Sequence, residues 1–131
     1  MKKILLIIGS VVVLIVVAGV IAFNQIENNL EVLANTEIED IDLSSVEDGT
    51  YLGEYSSFPV SVNVTVTILN HEIIEVEITK HIQGQGLSAE AIVDDVIEEQ
   101  SLAVDAIAGA TYSSKVILLA IRDALTEAEG D

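Results

Sequence analysis

The chain has 131 residues, a formal net charge of −17 from 22 Asp and Glu against 5 Lys and Arg, half its residues apolar, and no Cys or Trp. That length allows one modest folded domain, and the lack of Cys excludes disulfides, thiolate metal sites, a thiol nucleophile and a cysteine lipid anchor. Nucleic acid is excluded as a partner too, because past residue 3 the only bases are Lys80, Lys115 and Arg122, too few to track a phosphate backbone.

Ile4 to Phe23 is an uncharged run of twenty residues behind Lys2 and Lys3. As a helix it covers about 30 Å, the hydrocarbon thickness of a bilayer, so residues 1–23 predict a transmembrane signal-anchor. The two lysines keep that end cytoplasmic and place everything after Asn24 outside the cytoplasm, giving a single-pass cell-membrane protein with an extracytoplasmic C-terminal domain. A cleaved signal peptide, with Val20-Ile21-Ala22 as its small-residue site, is the alternative, although the run exceeds the roughly 7–15 residues of a signal core.

Residues 24–47 hold seven acids and no base and read as an acidic stalk. Ile26, Leu30 and Leu33 have helical spacing, which predicts a short helix or a weak self-association seam next to the membrane. Glu37 to Asp42 lacks the ligand spacing and central Gly of a calcium loop and reads as a solvated charge run.

The folded unit is expected over residues 48–131, starting at the Asp48-Gly49 turn signal. Tyr51 to Tyr55 predicts a short first strand. Val60, Val62, Val64, Val66 and Ile68 alternate with Ser61, Asn63, Thr65 and Thr67, the period-two pattern of a half-buried strand. Asn70-His71 marks a hairpin turn, and Ile74, Val76 and Ile78 alternate with acids and Thr79 on the way back. After the polar loop His81 to Gly86 a helix is expected, with Ser88 as N-cap, Leu87 and Ile92 as a hydrophobic staple, and Ile92, Val93, Val96 and Ile97 as the buried stripe. A second loop, Ser101 to Tyr112, leads to a last helix from about Ser113 to Ala128, whose apolar run Val116–Ile121 requires burial against the sheet. Strands first and helices later predict an α+β domain, a small antiparallel sheet packed with two or three helices.

Any chemistry has to lie in the two loops. Asp105-Ala106-Ile107-Ala108-Gly109-Ala110-Thr111-Tyr112-Ser113-Ser114 puts an acid, a glycine and three hydroxyls ahead of a buried helix. Unpaired N–H groups and partial positive charge at a helix start suit a phosphate, and a plain N-cap is the simpler alternative. His81 and His71 have no partners at metal-ligand spacing, so no metal site is proposed. Neither histidine lies near Thr111 in sequence to serve as its base, so no catalytic nucleophile is assigned.

At these residues the sequence resembles the FMN-binding domains that carry flavin covalently on a threonine or serine. In that family a flavin transferase recognises Asp-x-x-(Ser/Thr/Ala)-Gly-Ala-(Thr/Ser) and joins the FMN phosphate to the last hydroxyl as a phosphoester. Asp105, Gly109, Ala110 and Thr111 match position by position. The likeness extends from Asp48-Gly49-Thr50-Tyr51 through the valine-rich hairpin, His81, Gly84, Gly86, Gln100-Ser101 and Tyr112-Ser113-Ser114-Lys115. Ala108 stands where many members have Ser or Thr, and the first loop lacks the Thr-Pro-Gly of longer members.

The resemblance implies that Thr111 is the attachment point, that the modifying enzyme requires Asp105, and that Gly109 and Ala110 give it steric access. It makes His81, Gln85 and Gly86 candidates for lining the flavin, and Ser113 and Ser114 candidates for bonds to the phosphate or the helix end. Lys115 reads equally as a charge offset for the phosphate or as a surface lysine. The implied function is a membrane-anchored extracytoplasmic flavoprotein passing electrons from a membrane redox donor to an extracytoplasmic acceptor. About 84 folded residues favour an electron carrier over a complete reductase, because little room is left for a substrate pocket. A flavin-free or noncovalent-flavin binding or sensory module of the same fold is the alternative.

Overall fold

The computed structural model describes residues 1–82 and 87–129. Helix α1 spans Lys2–Asn35, strands β1, β2 and β3 span Gly49–Ser57, Val60–Leu69 and Glu72–Ile82, and helices α2 and α3 span Ile92–Glu99 and Thr111–Glu129. The strands form one antiparallel sheet in the order β1-β2-β3. This is the α+β architecture that the pattern of elements predicts.

The alternation in β2 sets the layering. Val60, Val62, Val64, Val66 and Ile68 are all buried, facing α3, while Ser61, Asn63, Thr65 and Thr67 lie half-buried on the other face. Helix α3 answers with Val116, Ile117, Leu118, Ala120, Ile121, Ala124 and Leu125, all buried. It approaches β1 most closely at Gly53, where an added Cβ would strike the Ala120 carbonyl oxygen and come within 2.6 Å of the Ala124 nitrogen. A glycine at this strand position therefore admits helix backbone rather than a turn.

Two-residue turns close both hairpins. Phe58 and Pro59 lie between the Ser57 and Val60 partners, and Asn70 and His71 lie between Leu69 and Glu72. Asn70 and His71 both adopt positive φ, 53° and 62°, the conformation whose twist matches paired strands. The Asp48 carboxylate accepts the Asn70 N–H at 2.7 Å and ties the start of β1 to this turn.

Three local expectations are corrected. In β3 the register shifts between Thr67 and Ile68, so that Ile68 pairs with Ile73 and Thr67 with Glu75. Ile74 is the extra residue of a β-bulge, 49% exposed, and Ile73 rather than Ile74 takes the core position at 2%. Ser88 is not an N-cap. It sits inside a short 3-10 turn, Leu87–Ala91, and α2 starts only at Ile92 with Ala91 in the cap position. The tighter turn takes up the entry to the helix, as is common at helix ends. Helix α3 begins at Thr111, two residues before the expected Ser113.

Helix α1 continues past the apolar run to Asn35, with Ile26 and Asn29 half-buried and Leu33 buried on one face. Residues 36–47, read as a solvated stalk, instead lie along the folded unit. Val46 is fully buried, and Ile38, Ile41 and Leu43 pack against the core. Asp40 accepts bonds from the Ser101 hydroxyl (2.6 Å) and the Leu102 N–H (3.0 Å), and Glu39 pairs with Arg122 at 2.7 Å. Asp40 and Glu39 are used as acceptors for groups more than sixty residues away, a role that composition alone does not reveal.

Candidate functional site

Gly109 and Thr111 stand where the loop after α2 turns into α3. The Ala110 N–H bonds to the Ile107 carbonyl at 2.9 Å, closing a four-residue turn in which Gly109 holds φ 79°. Open space surrounds the position of a Cβ on Gly109, so the glycine is required by the backbone angle and not by crowding. The first bond of the helix then runs from the Ser114 N–H to the Ala110 carbonyl, also 2.9 Å. The N–H groups of Thr111, Tyr112 and Ser113 precede it and form the electropositive start of the helix.

Ser114 locks this corner. Fully buried, its hydroxyl donates to the Ala110 carbonyl at 2.7 Å and accepts the Ile107 N–H at 3.0 Å. Tyr112 anchors the same corner to the sheet. Its hydroxyl lies 2.8 Å from the Ser57 carbonyl, 3.0 Å from the Ser57 hydroxyl and 2.9 Å from the Phe58 carbonyl, and gives its proton to one of them at a time. Thr111 itself is exposed, as are Asp105, Ala108 and Gly109, whereas Ala110 and Ser113 are buried. The Thr111 hydroxyl thus stands exposed on a locked helix start.

His81 lies opposite Val62 at the end of β3, on the sheet face that the helices cover. Its side chain is only 3% exposed, and Nδ1 sits 3.0 Å from the Glu90 carboxylate, beside the entry to α2. Nε2 is buried and has no partner among the described residues. A buried ring nitrogen left without a bond carries a desolvation cost that a ligand donor or acceptor would relieve. Gln85 and Gly86, the other flavin-lining candidates, lie outside the described residues.

The tertiary structure therefore brings His81, Gly109, Ala110, Thr111, Ser113 and Ser114 to one end of the domain, the end that also carries the Phe58-Pro59 turn. Asp105 stands further back along the loop. Lys115 takes neither role expected of it, because its ammonium donates to the Ala34 (2.8 Å) and Thr36 (3.1 Å) carbonyls at the C-terminus of α1. A cation there offsets the negative end of a helix that has no base of its own in its last turn. Glu90 and Tyr112 were missed as site residues. Glu90 is nine positions from His81 with a loop between, so no periodicity links them. Tyr112 gave a signal in its place beside Thr111, but its partners Ser57 and Phe58 are more than fifty residues away.

These residues fit a phosphate monoester bearing an aromatic ring system: helix-start N–H groups ahead of the first helix bond, an exposed hydroxyl beside them, and a buried ring nitrogen with no partner among the described residues at the same end of the sheet. Comparison with known proteins agrees in class. The family model described as FMN-binding domain matches residues 58–126, from the β1–β2 turn through most of α3. No curated protein matches the chain.

Proposed function

The chain belongs to the FMN-binding domain family, and from that premise we propose that FMN is held covalently through a phosphoester on Thr111 and used for electron transfer outside the cytoplasm. The observation that carries this reading is the exposed Thr111 hydroxyl on the first turn of α3, directly after the Gly109 turn and inside the matched residues. A flavin transferase supplies FMN from a phosphoanhydride donor. The Thr111 Oγ1–phosphorus bond forms, the anhydride P–O bond breaks, the remaining phosphate leaves with the rest of the donor, and the threonine proton passes to solvent or an enzyme base.

Bound FMN supplies reversible one- or two-electron chemistry. The N–H groups of Thr111 to Ser113 would hold its phosphate, Ser114 keeps the turn rigid, and His81, with its buried Nε2, would be the residue at the end of β3 available to the ring system. Helix α1 is long and apolar enough to cross a membrane, and Lys2 and Lys3 orient it with the domain outside the cytoplasm. There a tether prevents loss of cofactor by diffusion. A membrane redox donor and an extracytoplasmic acceptor are the partners this arrangement requires, and the domain acts as carrier between them.

The test is the intact mass of the full chain co-expressed with a flavin transferase, beside Thr111→Ala and Thr111→Ser. The expected result is a gain of one FMN less one water on the parent and on Thr111→Ser, and none on Thr111→Ala. An unmodified parent, with a known substrate domain modified in the same cells, overturns the attachment and leaves a noncovalent flavoprotein or a flavin-free module.

A further inference from the structure

The path of the chain gives the domain a defined near and far end relative to α1. The Asn29 side-chain amide donates to the Phe58 carbonyl at 3.1 Å, and the Tyr112 hydroxyl meets the same carbonyl at 2.9 Å. Tyr112 meets Asn29 through the shared Phe58 carbonyl, Lys115 meets Ala34 and Thr36, and Arg122 meets Glu39, so α3 climbs in the same direction as α1 and its continuation. The start of α3, the β1–β2 turn and the end of β3 lie on the side of the apolar run. The Asn70-His71 turn lies at the opposite end of β2, ten residues or about 30 Å away.

Asn29 is six residues beyond Phe23, about 9 Å along a helix. A bilayer about 30 Å thick in hydrocarbon extends to about 40–45 Å with its headgroups, about 5–8 Å on each side. When Ile4–Phe23 fills the hydrocarbon, Asn29 sits at the outer edge of the headgroup layer, and the β1–β2 turn that it binds lies at that edge. That turn carries Phe58, 59% exposed, next to Pro59. In a chain with 22 acids, the stretches Tyr55–His71 and Ala106–Ile121 contain none, so most of this end lacks the charge that an anionic lipid surface would repel. Glu27 and Glu31, on exposed positions of α1, and Glu90, whose side chain beside His81 is 40% exposed, are the exceptions.

We propose that the domain rests this end on the bilayer that holds α1, with Phe58 entering the headgroup layer and the Thr111 end of α3 facing the lipid surface. The proposal rests on the reading of α1 as a membrane span. It deepens the proposed function: a group carried on Thr111 is presented to the membrane, where the donor resides, and not to the bulk phase.

The chain has no Trp, so each of Leu14→Trp, Phe58→Trp and Leu69→Trp makes a single-tryptophan protein. The full chain of each is reconstituted into phosphatidylcholine vesicles carrying a nitroxide on the acyl chain at a shallow or a deep carbon. The expected result is quenching of L14W chiefly by the deep label, of F58W chiefly by the shallow label, and of L69W, beside the far turn, by neither. Quenching of L14W with F58W quenched no more than L69W overturns the docking and leaves the span intact. An unquenched L14W overturns the span, and the docking with it.

Discussion

Asp40 shows how a residue that reads as surface charge becomes structural. Burial pushes its carboxyl toward a raised pKa, but the bonds from the Ser101 hydroxyl and the Leu102 and Ile41 N–H groups outweigh that effect and hold it below the ordinary carboxylate range. Asp42 is held below it likewise, by the Ser44 hydroxyl and N–H. A carboxylate whose folded pKa is depressed adds stability that is present above the unfolded pKa and is lost as pH falls through the folded value. Asp40→Asn is expected to cost about 1 kcal/mol at pH 7, below the about 1.5–3 kcal/mol usual for bonds to a charged acceptor because the group is exposed. Urea titration checks this. The gap between parent and variant should shrink as the pH falls below about 3.9, the unperturbed carboxylate value, and a gap independent of pH would assign the loss to packing instead.

Side chains from the helical layer bind backbone groups on both edges of the three-stranded sheet. On β1 the Glu54 N–H donates to Asp123 of α3 at 3.0 Å, and on β3 the Gln100 amide both accepts from the Ile73 N–H (2.7 Å) and donates to its carbonyl (2.8 Å). Each bond removes one open backbone group from an edge that would otherwise invite a second chain. The closeness of α3 to β1 depends on Gly53. Gly53→Ala places a methyl against the Ala120 carbonyl and 2.7 Å from the Ala124 Cβ, which backbone cannot evade by changing a rotamer. The expected loss is about 3 kcal/mol, read as a lowered denaturant midpoint with an unchanged m-value. An unaltered midpoint would mean that α3 lifts from β1 without cost, and that its position does not set the Thr111 corner.

At the scale of the molecule, charge is distributed unevenly. Past residue 23 there are 22 acids and 3 bases, a net −19, yet the stretches Tyr55–His71 and Ala106–Ile121 contain no acid. The exposed Glu72, Glu75, Glu77, Asp94, Glu98 and Glu99 lie on β3 and α2. Their mutual repulsion opposes compaction over a Debye length of about 30 Å at 0.01 M salt and about 8 Å at 0.15 M. Raising NaCl from 10 to 300 mM should therefore raise the Tm of the detergent-solubilised chain by about 5 °C, equivalent to about 1 kcal/mol for a domain of this size. A Tm that does not move would show that the acids are spaced too far apart to repel.

Period and local chemistry determined the apolar run of α1, strand β2, the Asn70-His71 turn, the apolar body of α3 and the motif ending at Thr111, because each signal lies within one short consecutive stretch of chain. Ile73 and Ile74 mark the limit of that reading. Both are apolar, and only the pairing of β3 with β2 decides which one faces the core. Asp40, Glu39 and Lys115 mark it again, since each meets a partner more than sixty residues away and no spacing encodes such a meeting. The closure of His81 on Glu90, the clamp of Tyr112 on the β1–β2 turn and the end of the domain that α1 holds nearest the apolar run were decided by tertiary packing alone. Those contacts join segments whose separation along the chain carries no information about their distance in space.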